Sequence, residues 1–116
     1  MKTERNPADY LADILDASGK ISKFIGGLDS NQFAADEKTF FAVIRGLEMI
    51  GEAARKIPPS VRQKYPQIPW REITGMRDKL VHDYMGVNIT VVWKTVTEDL
   101  PALEPRIREM LNELGG

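Results

Sequence analysis

Apolar residues recur at helical spacing along most of the chain, and the positions between them are polar or charged. Asn6 precedes Pro7, a pair typical of an N-cap and a first helical position, and Gly26-Gly27 is typical of a helix end. This pattern predicts a first helix over about residues 7–27. The stripe that it carries comprises Leu11, Ile14, Leu15, Ile21, Phe24, Ile25 and Leu28.

A second apolar stripe predicts a long helix from near Asp36 to near Lys56. The preceding Asp29-Ser30-Asn31 has the composition of a turn. Gly46 and Gly51 lie inside the predicted helix, where each costs about 1 kcal/mol relative to alanine. They therefore predict that another backbone approaches this helix closely.

A short helix and a longer one are predicted next. Ser60 is expected to cap a helix over residues 61–65, which Pro66 ends. Pro69 then stands at the start of a helix that reaches at least His82.

The last third of the chain is ambiguous at its start. The β-branched run from Ile89 to Val96 is compatible with a strand when it is taken alone. Thr90 as a cap and the continuation to Leu100 favour a helix. Pro101 and Pro105 are expected to interrupt or kink it before a final apolar stripe that ends at Leu114.

These elements predict an all-α fold, an antiparallel bundle of four main helices plus one or two short ones, in a single domain over residues 1–116. Hydrophobic residues make up 42% and charged residues 28% of the 116 positions, which is typical of a globular protein. No apolar run is long enough for a membrane span, and no secretory signal is visible. Together with the absence of cysteine, this predicts a cytoplasmic protein.

Charge and composition also limit the chemistry. A net charge of −1 argues against broad nonspecific binding to a polyanion. Between Arg55 and Lys64, however, there are four basic residues and no acid, which is either a solvated face or a contact surface for a few phosphates. A single histidine and no cysteine give no set of residues that we would assign to a metal or to another cofactor.

The reactive residues are concentrated between Gly75 and Tyr84, a stretch that contains the only histidine. On an ideal helix Asp78 and His82 lie about 40° apart, whereas Arg77 and His82 lie about 140° apart. Three explanations remain open: the helix unwinds near Val81, long side chains converge across a groove, or a second copy of the chain supplies part of the site.

The residue types suit phosphoryl transfer without a metal. Histidine can remove a proton from a ribose 2′-hydroxyl or give one to a leaving oxygen, and arginine can stabilise charge on the phosphate oxygens. Asp78 can orient the imidazole. The alternative for each residue is structural: His82 as a capping residue, the charged residues in surface ion pairs, and Tyr84 at the edge of the core. Trp70 and Trp93 are expected in the core or an interface rather than stacked on bases.

The run Arg77-x4-His82-x-Tyr84 resembles the R-x4-H-x-Y motif of HEPN-domain proteins, specifically the HepT-like (DUF86) group. Three further segments look like signatures of that group. They are Ile68-Pro69-Trp70-Arg71-Glu72-Ile73, Gly46-Leu47-Glu48-Met49-Ile50-Gly51-Glu52-Ala53-Ala54 and the C-terminal segment from Val92 to Pro101.

The resemblance implies a HEPN-like helical bundle that forms a homodimer, in which two R-x4-H motifs form one metal-independent ribonuclease site. HepT-like proteins are typically toxins, and an MntA-like nucleotidyltransferase antitoxin neutralises them by transferring AMP to the motif tyrosine. Carried over, Arg77 and His82 are catalytic, Asp78 fills the polar position after the arginine, and Tyr84 accepts AMP. Lys79, Arg55 and Lys56 are candidate contacts to RNA phosphates.

Two hypotheses follow from the sequence. In the first, the protein is an endoribonuclease toxin with RNA as its substrate. In the second, it is a non-catalytic substrate-binding or regulatory partner of a nucleotidyltransferase. The intact motif favours the first, and the net charge favours the second.

Overall fold

The computed structural model describes residues 5–82 and 88–115, and for residues 77–82 it describes the helical backbone alone. In these ranges the chain forms seven α-helices and one π-helical turn, with no strand. The helices are α1 (Pro7–Ile25), α2 (Ser30–Ala35), α3 (Glu37–Arg55), α4 (Pro59–Arg62), α5 (Trp70–His82), α6 (Ile89–Lys94) and α7 (Leu100–Glu113). The π-helical turn, Thr95–Asp99, joins α6 to α7.

Helix α1 begins and ends where its terminal residues dictate. The Asn6 side chain accepts a hydrogen bond from the Asp9 N–H, and the Asp9 carboxylate accepts one from the Asn6 N–H, so the two form a capping box. The helix ends at Ile25, two residues earlier than predicted, because Gly27 has a φ of +83° that stops helical propagation.

The segment predicted as a turn at Asp29-Ser30-Asn31 is instead the start of a helix. The Asp29 carboxylate accepts from the Gln32 N–H at 2.8 Å, and the Gln32 side chain accepts from the Asp29 N–H at 2.9 Å. Turns and N-caps use the same residue types, so the composition alone did not separate them. Phe33, which is fully buried, holds this short helix against the ring of Trp93 at a centroid distance of 5.1 Å.

Helix α3 lies at the centre of the bundle, between α1 and α5. Asp36 caps it by accepting hydrogen bonds from the N–H and the hydroxyl of Thr39. Gly46 faces α1, where a Cβ atom would lie only 2.8 Å from Cδ1 of Ile21. The close approach predicted from this glycine is therefore present, but a side chain rather than a backbone makes it.

The connection from α3 to α5 is fixed by hydrogen bonds to backbone carbonyls. Arg62 Nε donates to the Ile57 carbonyl, and Trp70 Nε1 donates to the Tyr65 carbonyl, each at 3.0 Å. The short helix α4 begins at Pro59 and has no side-chain cap, so the predicted cap at Ser60 and the predicted range 61–65 are wrong. Proline at the first position fixes φ and needs no partner for an N–H, which starts the helix one residue before the serine.

The C-terminal third is helical from Ile89 to Glu113, which excludes the strand alternative. Asn88, rather than Thr90, caps α6 by accepting from the N–H groups of Thr90 and Val91. Pro101 does not interrupt the helical path from α6 through the π-helical turn to α7. The backbone widens before it instead, with the Leu100 N–H donating to the Thr95 carbonyl five residues back. Pro105 lies inside α7, which continues to Glu113.

The predicted all-α bundle is confirmed. Four main helical units are present in the described ranges: α1, α3, α5 and the continuous rod of α6, the π-helical turn and α7; α2 and α4 are the short helices. Their apolar faces form one buried cluster. Among the residues described, no helix is both long and apolar enough to cross a membrane.

Candidate functional site

The motif helix α5 is continuous from Trp70 to His82. The backbone does not unwind near Val81, so the first of the three explanations for the separation of Arg77 and His82 is excluded. On a continuous helix these two positions lie about 140° apart around the axis, which leaves convergence of long side chains or a second copy of the chain. The side chains of Arg77, Asp78, Lys79 and His82, and all of Tyr84, lie outside the described residues.

The N-terminal half of α5 is anchored in the core. Trp70 and Ile73 are buried, and Met76 packs against the same cluster. Because the indole N–H of Trp70 also has a backbone partner, this ring fixes the start of the helix, as predicted for a core residue. Trp93 likewise packs on a core ring, that of Phe33.

Arg55 connects the end of α3 to the middle of α5. Its guanidinium donates to the Thr74 carbonyl at 2.9 Å. Thr74 lies one helical turn before Asp78 and three residues before Arg77, so this bond fixes α5 next to the motif. Lys56, the neighbouring candidate phosphate contact, is exposed at the C-cap of α3.

Two hydrogen bonds join the segment before α5 to α7. The Tyr65 hydroxyl donates to a carboxylate oxygen of Glu113 at 2.9 Å. This hydrogen bond, which ionisation of the phenol would break, raises the pKa of Tyr65 above its usual value. Arg106 Nη1 donates to the Gln67 carbonyl at 2.8 Å. These bonds hold the segment that leads into α5 against the C-terminal helix.

A groove of about 760 Å³ lies beside the motif helix, between α5 and the rod formed by α6, the π-helical turn and α7. Leu47, Ile73 and Leu100 are among the buried residues that line it, and Val91 lies at its exposed edge. This groove was not predicted from the sequence. The sequence feature that could have indicated it is the run from Ile89 to Val96, because this run has more apolar residues than one helix face can bury.

Charged side chains of both signs line the groove. Arg71 and Glu72 come from α5, and Lys94, Asp99 and Arg106 come from the opposite wall. Lys94 Nζ lies 3.5 Å from Asp99 Oδ1. Within the part of the chain whose side chains are described, no three histidine, aspartate or glutamate residues come together as a metal site would require.

The fold and the motif helix define an all-α protein whose third long helix carries the Arg77 and His82 positions of an R-x4-H-x-Y sequence. Residues 14–110 match the family described as Ribonuclease HepT-like, and the chain belongs to that family. The resemblance to the HepT-like group that the sequence suggested is therefore confirmed.

Several curated relatives align over nearly their whole length. A probable ribonuclease HepT from Thermococcus cleftensis is 47% identical over 107 residues, which is 92% of this chain and 97% of the relative. A protein named "Putative RNase" from Methanocaldococcus jannaschii is 40% identical over 111 residues, 96% of each chain. A protein with the same description from Caldanaerobacter subterraneus is 38% identical over 109 residues, 94% and 97% of the two chains. No solved structure gives a significant match.

Proposed function

We propose that this protein is a metal-independent endoribonuclease that acts as the toxin of a toxin–antitoxin pair in the cytoplasm. Membership of the HepT-like ribonuclease family supports the class of activity. The observation that carries the proposal further is the continuity of α5 through His82. It separates Arg77 from His82 around the helix and so favours a site that two copies of the chain complete.

The proposed reaction is transesterification of RNA. The neutral imidazole of one His82 removes the proton from a ribose 2′-hydroxyl, whose oxygen forms a new bond to the adjacent phosphorus. The bond from phosphorus to the 5′-oxygen breaks, and the protonated His82 of the second copy gives its proton to that oxygen. The products are a 2′,3′-cyclic phosphate and a 5′-hydroxyl.

The other motif residues have supporting roles in this proposal. The two Arg77 guanidinium groups bind the phosphate oxygens as negative charge accumulates, and Asp78 orients the imidazole one turn away. Lys79, Arg55 and Lys56 contact phosphates on either side of the scissile bond.

The test is cleavage of RNA in the presence of a metal chelator by wild type and by His82→Ala. The expected result is cleavage by wild type with cyclic phosphate ends and loss of cleavage in the variant, with the helical circular dichroism of both unchanged. Cleavage that persists in His82→Ala, or no cleavage by either protein, refutes the ribonuclease proposal.

We further propose that an MntA-like nucleotidyltransferase neutralises the toxin by transferring AMP from ATP to the hydroxyl of Tyr84. The phenolic oxygen attacks the α-phosphorus, pyrophosphate leaves, and the phenolic proton passes to solvent. The chain has three tyrosines, and Tyr65 serves as a matched control because its hydroxyl already donates to Glu113. Intact mass after incubation with the transferase and ATP should show an AMP increment in Tyr65→Phe and none in Tyr84→Phe. An increment that remains in Tyr84→Phe assigns the modification elsewhere.

A second candidate function is a non-catalytic binding partner of the nucleotidyltransferase. The net charge of −1 favours it, since a polyanion substrate usually meets a basic surface. Of the four basic residues between Arg55 and Lys64, Arg55 and Arg62 also donate to backbone carbonyls. Transferase binding by a protein that never cleaves RNA supports this function over the first.

A further inference from the structure

The Arg55 side chain reaches from the end of α3 onto the motif helix. Its guanidinium Nη2 donates to the Thr74 carbonyl at 2.9 Å, although the residue lies at the exposed surface. Holding a long surface side chain in one rotamer costs conformational entropy, so a contact of this kind needs a strong bond. A hydrogen bond from an ionised donor is stronger than one between neutral groups. The guanidinium therefore belongs to the packing of α3 against α5, and not only to the solvated surface.

The backbone that carries Arg55 is firmly held. Ala54, the residue before it, and Ile57, two residues after it, are both fully buried. Arg62 Nε also donates to the Ile57 carbonyl at 3.0 Å, which fixes the chain just beyond the helix end. Because Arg55 extends from a fixed point in a packed core, its bond to Thr74 restrains the position of α5.

The bonded position lies between the two motif positions of α5. On this continuous helix, position 74 is about 60° from Arg77 in one direction around the axis and about 80° from His82 in the other. Along the axis it precedes them by about 4.5 Å and about 12 Å. In an α-helix the carbonyl of Thr74 also accepts from the N–H of Asp78, so Arg55 bonds to the turn that leads into the motif.

We propose that Arg55 is a positioning residue for the ribonuclease reaction, which acts through the Thr74 carbonyl to set the place of Arg77 and His82 relative to the rest of the bundle. The inference rests on the proposed function, because it takes those two residues as the catalytic ones. It gives Arg55 a role exerted through α5, in addition to its phosphate contact. A misplacement of about 1 Å can cost about a hundredfold in rate, so loss of this restraint should be measurable in kcat.

The experiment removes the bond in Arg55→Gln and compares two matched variants. Arg106→Gln loses the same charge and a bond of the same kind, from Nη1 to the carbonyl of Gln67 at 2.8 Å, but this carbonyl lies before α5 begins. Lys56→Gln loses the neighbouring phosphate contact. RNA cleavage gives kcat and KM, and hydrogen exchange followed by NMR gives the opening of α5 at amides 78–82. Circular dichroism verifies folding, and Arg55→Met, which keeps an apolar stem without a donor, replaces Arg55→Gln if that variant fails to fold.

We expect Arg55→Gln to lower kcat by about tenfold and to raise the exchange rates of amides 78–82 by about fivefold. Arg106→Gln should leave both quantities unchanged, which separates positioning of the motif from a general loss of stability. Lys56→Gln should raise the KM for RNA and leave kcat unchanged, as expected of a residue that only contacts phosphate.

Other results would overturn the inference. If Arg55→Gln changes only KM, as Lys56→Gln does, Arg55 is a phosphate contact alone. An equal loss of kcat in Arg55→Gln and Arg106→Gln makes the bond to Thr74 merely structural. If the wild type cleaves no RNA, the proposed function is refuted and the exchange rates decide separately: faster exchange at amides 78–82 in Arg55→Gln alone supports the restraint of α5 by Arg55, and unchanged rates exclude it.

Discussion

The contact between α1 and α3 makes a quantitative prediction at Gly46. A Cβ atom built on this glycine lies 2.8 Å from Cδ1 and 2.9 Å from Cγ1 of Ile21, whose side chain is buried. Favourable contacts between carbon atoms begin near about 3.5 Å, so Ile21 must move by several tenths of an ångström in a packed core. Overpacking of this kind costs about 1–3 kcal/mol.

The substitution Gly46→Ala also removes a glycine from a helix interior, which contributes at most about 1 kcal/mol of stabilisation. The expected net effect is a loss of about 1 kcal/mol in the free energy of unfolding, or roughly 4 °C in Tm for a domain of this size. Gly19 provides the matched control, because it lies inside α1 and nothing packed on that helix lies within 4 Å of the position that a Cβ atom would take. Gly19→Ala should therefore stabilise the protein by up to about 1 kcal/mol.

Urea unfolding followed by circular dichroism, at one fixed chain concentration, measures both variants. The difference between them, about 2 kcal/mol, isolates the cost of the contact. Ile21→Val removes Cδ1, the atom nearest to the new methyl group, so Gly46→Ala should be less harmful in that background. Equal stabilisation by Gly46→Ala and Gly19→Ala would refute the close packing of α1 on α3.

Three further predictions concern a core ring, a charged residue and a cap. Phe33→Ala should lower the unfolding free energy by about 3–5 kcal/mol in urea titrations, because the ring is fully buried between Phe40 and Trp93; a loss below about 1 kcal/mol would contradict this packing. Arg55→Gln should lower the unfolding free energy by about 1 kcal/mol, because it removes the hydrogen bond to the Thr74 carbonyl. An unchanged unfolding free energy would contradict a stabilising role for this hydrogen bond. Hydrogen bonds from Thr39 lower the pKa of the Asp36 carboxyl below its ordinary value of 3.8. The stability that this cap provides is therefore fully present above pH 3.8 and is lost as the pH falls through the lower pKa of the folded state. Wild type should therefore lose more stability than Asp36→Asn between pH 5 and about pH 2, and parallel curves would contradict the assignment.

The sequence predicted those parts of the fold that depend on apolar periodicity and on N-cap residues. The apolar stripe of α1 and the N-cap at Asn6 involve residues only a few positions apart, so both can be recognised from the local sequence. The helix at Ser30–Ala35 was missed because its stability comes from burying Phe33 against Trp93, a contact between residues sixty positions apart. The spacing of Asp29 and Gln32, which form a capping box, was a local signal of this helix start that the turn-like composition obscured.

The same reasoning applies to the site. The spacing of Arg77 and His82 left three explanations open for how one site could contain both, and the continuity of α5 removed one of them. The groove could not be predicted, because its walls come from α5 and from a rod whose course depends on the π-helical turn before Pro101. Widening of the helix at that point redirects the side chains that follow.

The measurement that tests a shared ribonuclease site most directly is RNA cleavage by mixed dimers. Wild type at constant concentration is unfolded and refolded together with increasing amounts of His82→Ala, and metal-free cleavage is measured at each ratio. If one His82 from each copy is required, only dimers with two wild-type chains are active. One equivalent of the variant then reduces cleavage to about half and three equivalents to about a quarter, by random pairing of the chains. Cleavage that stays constant at every ratio would show that each chain carries a complete site, and would contradict the shared one.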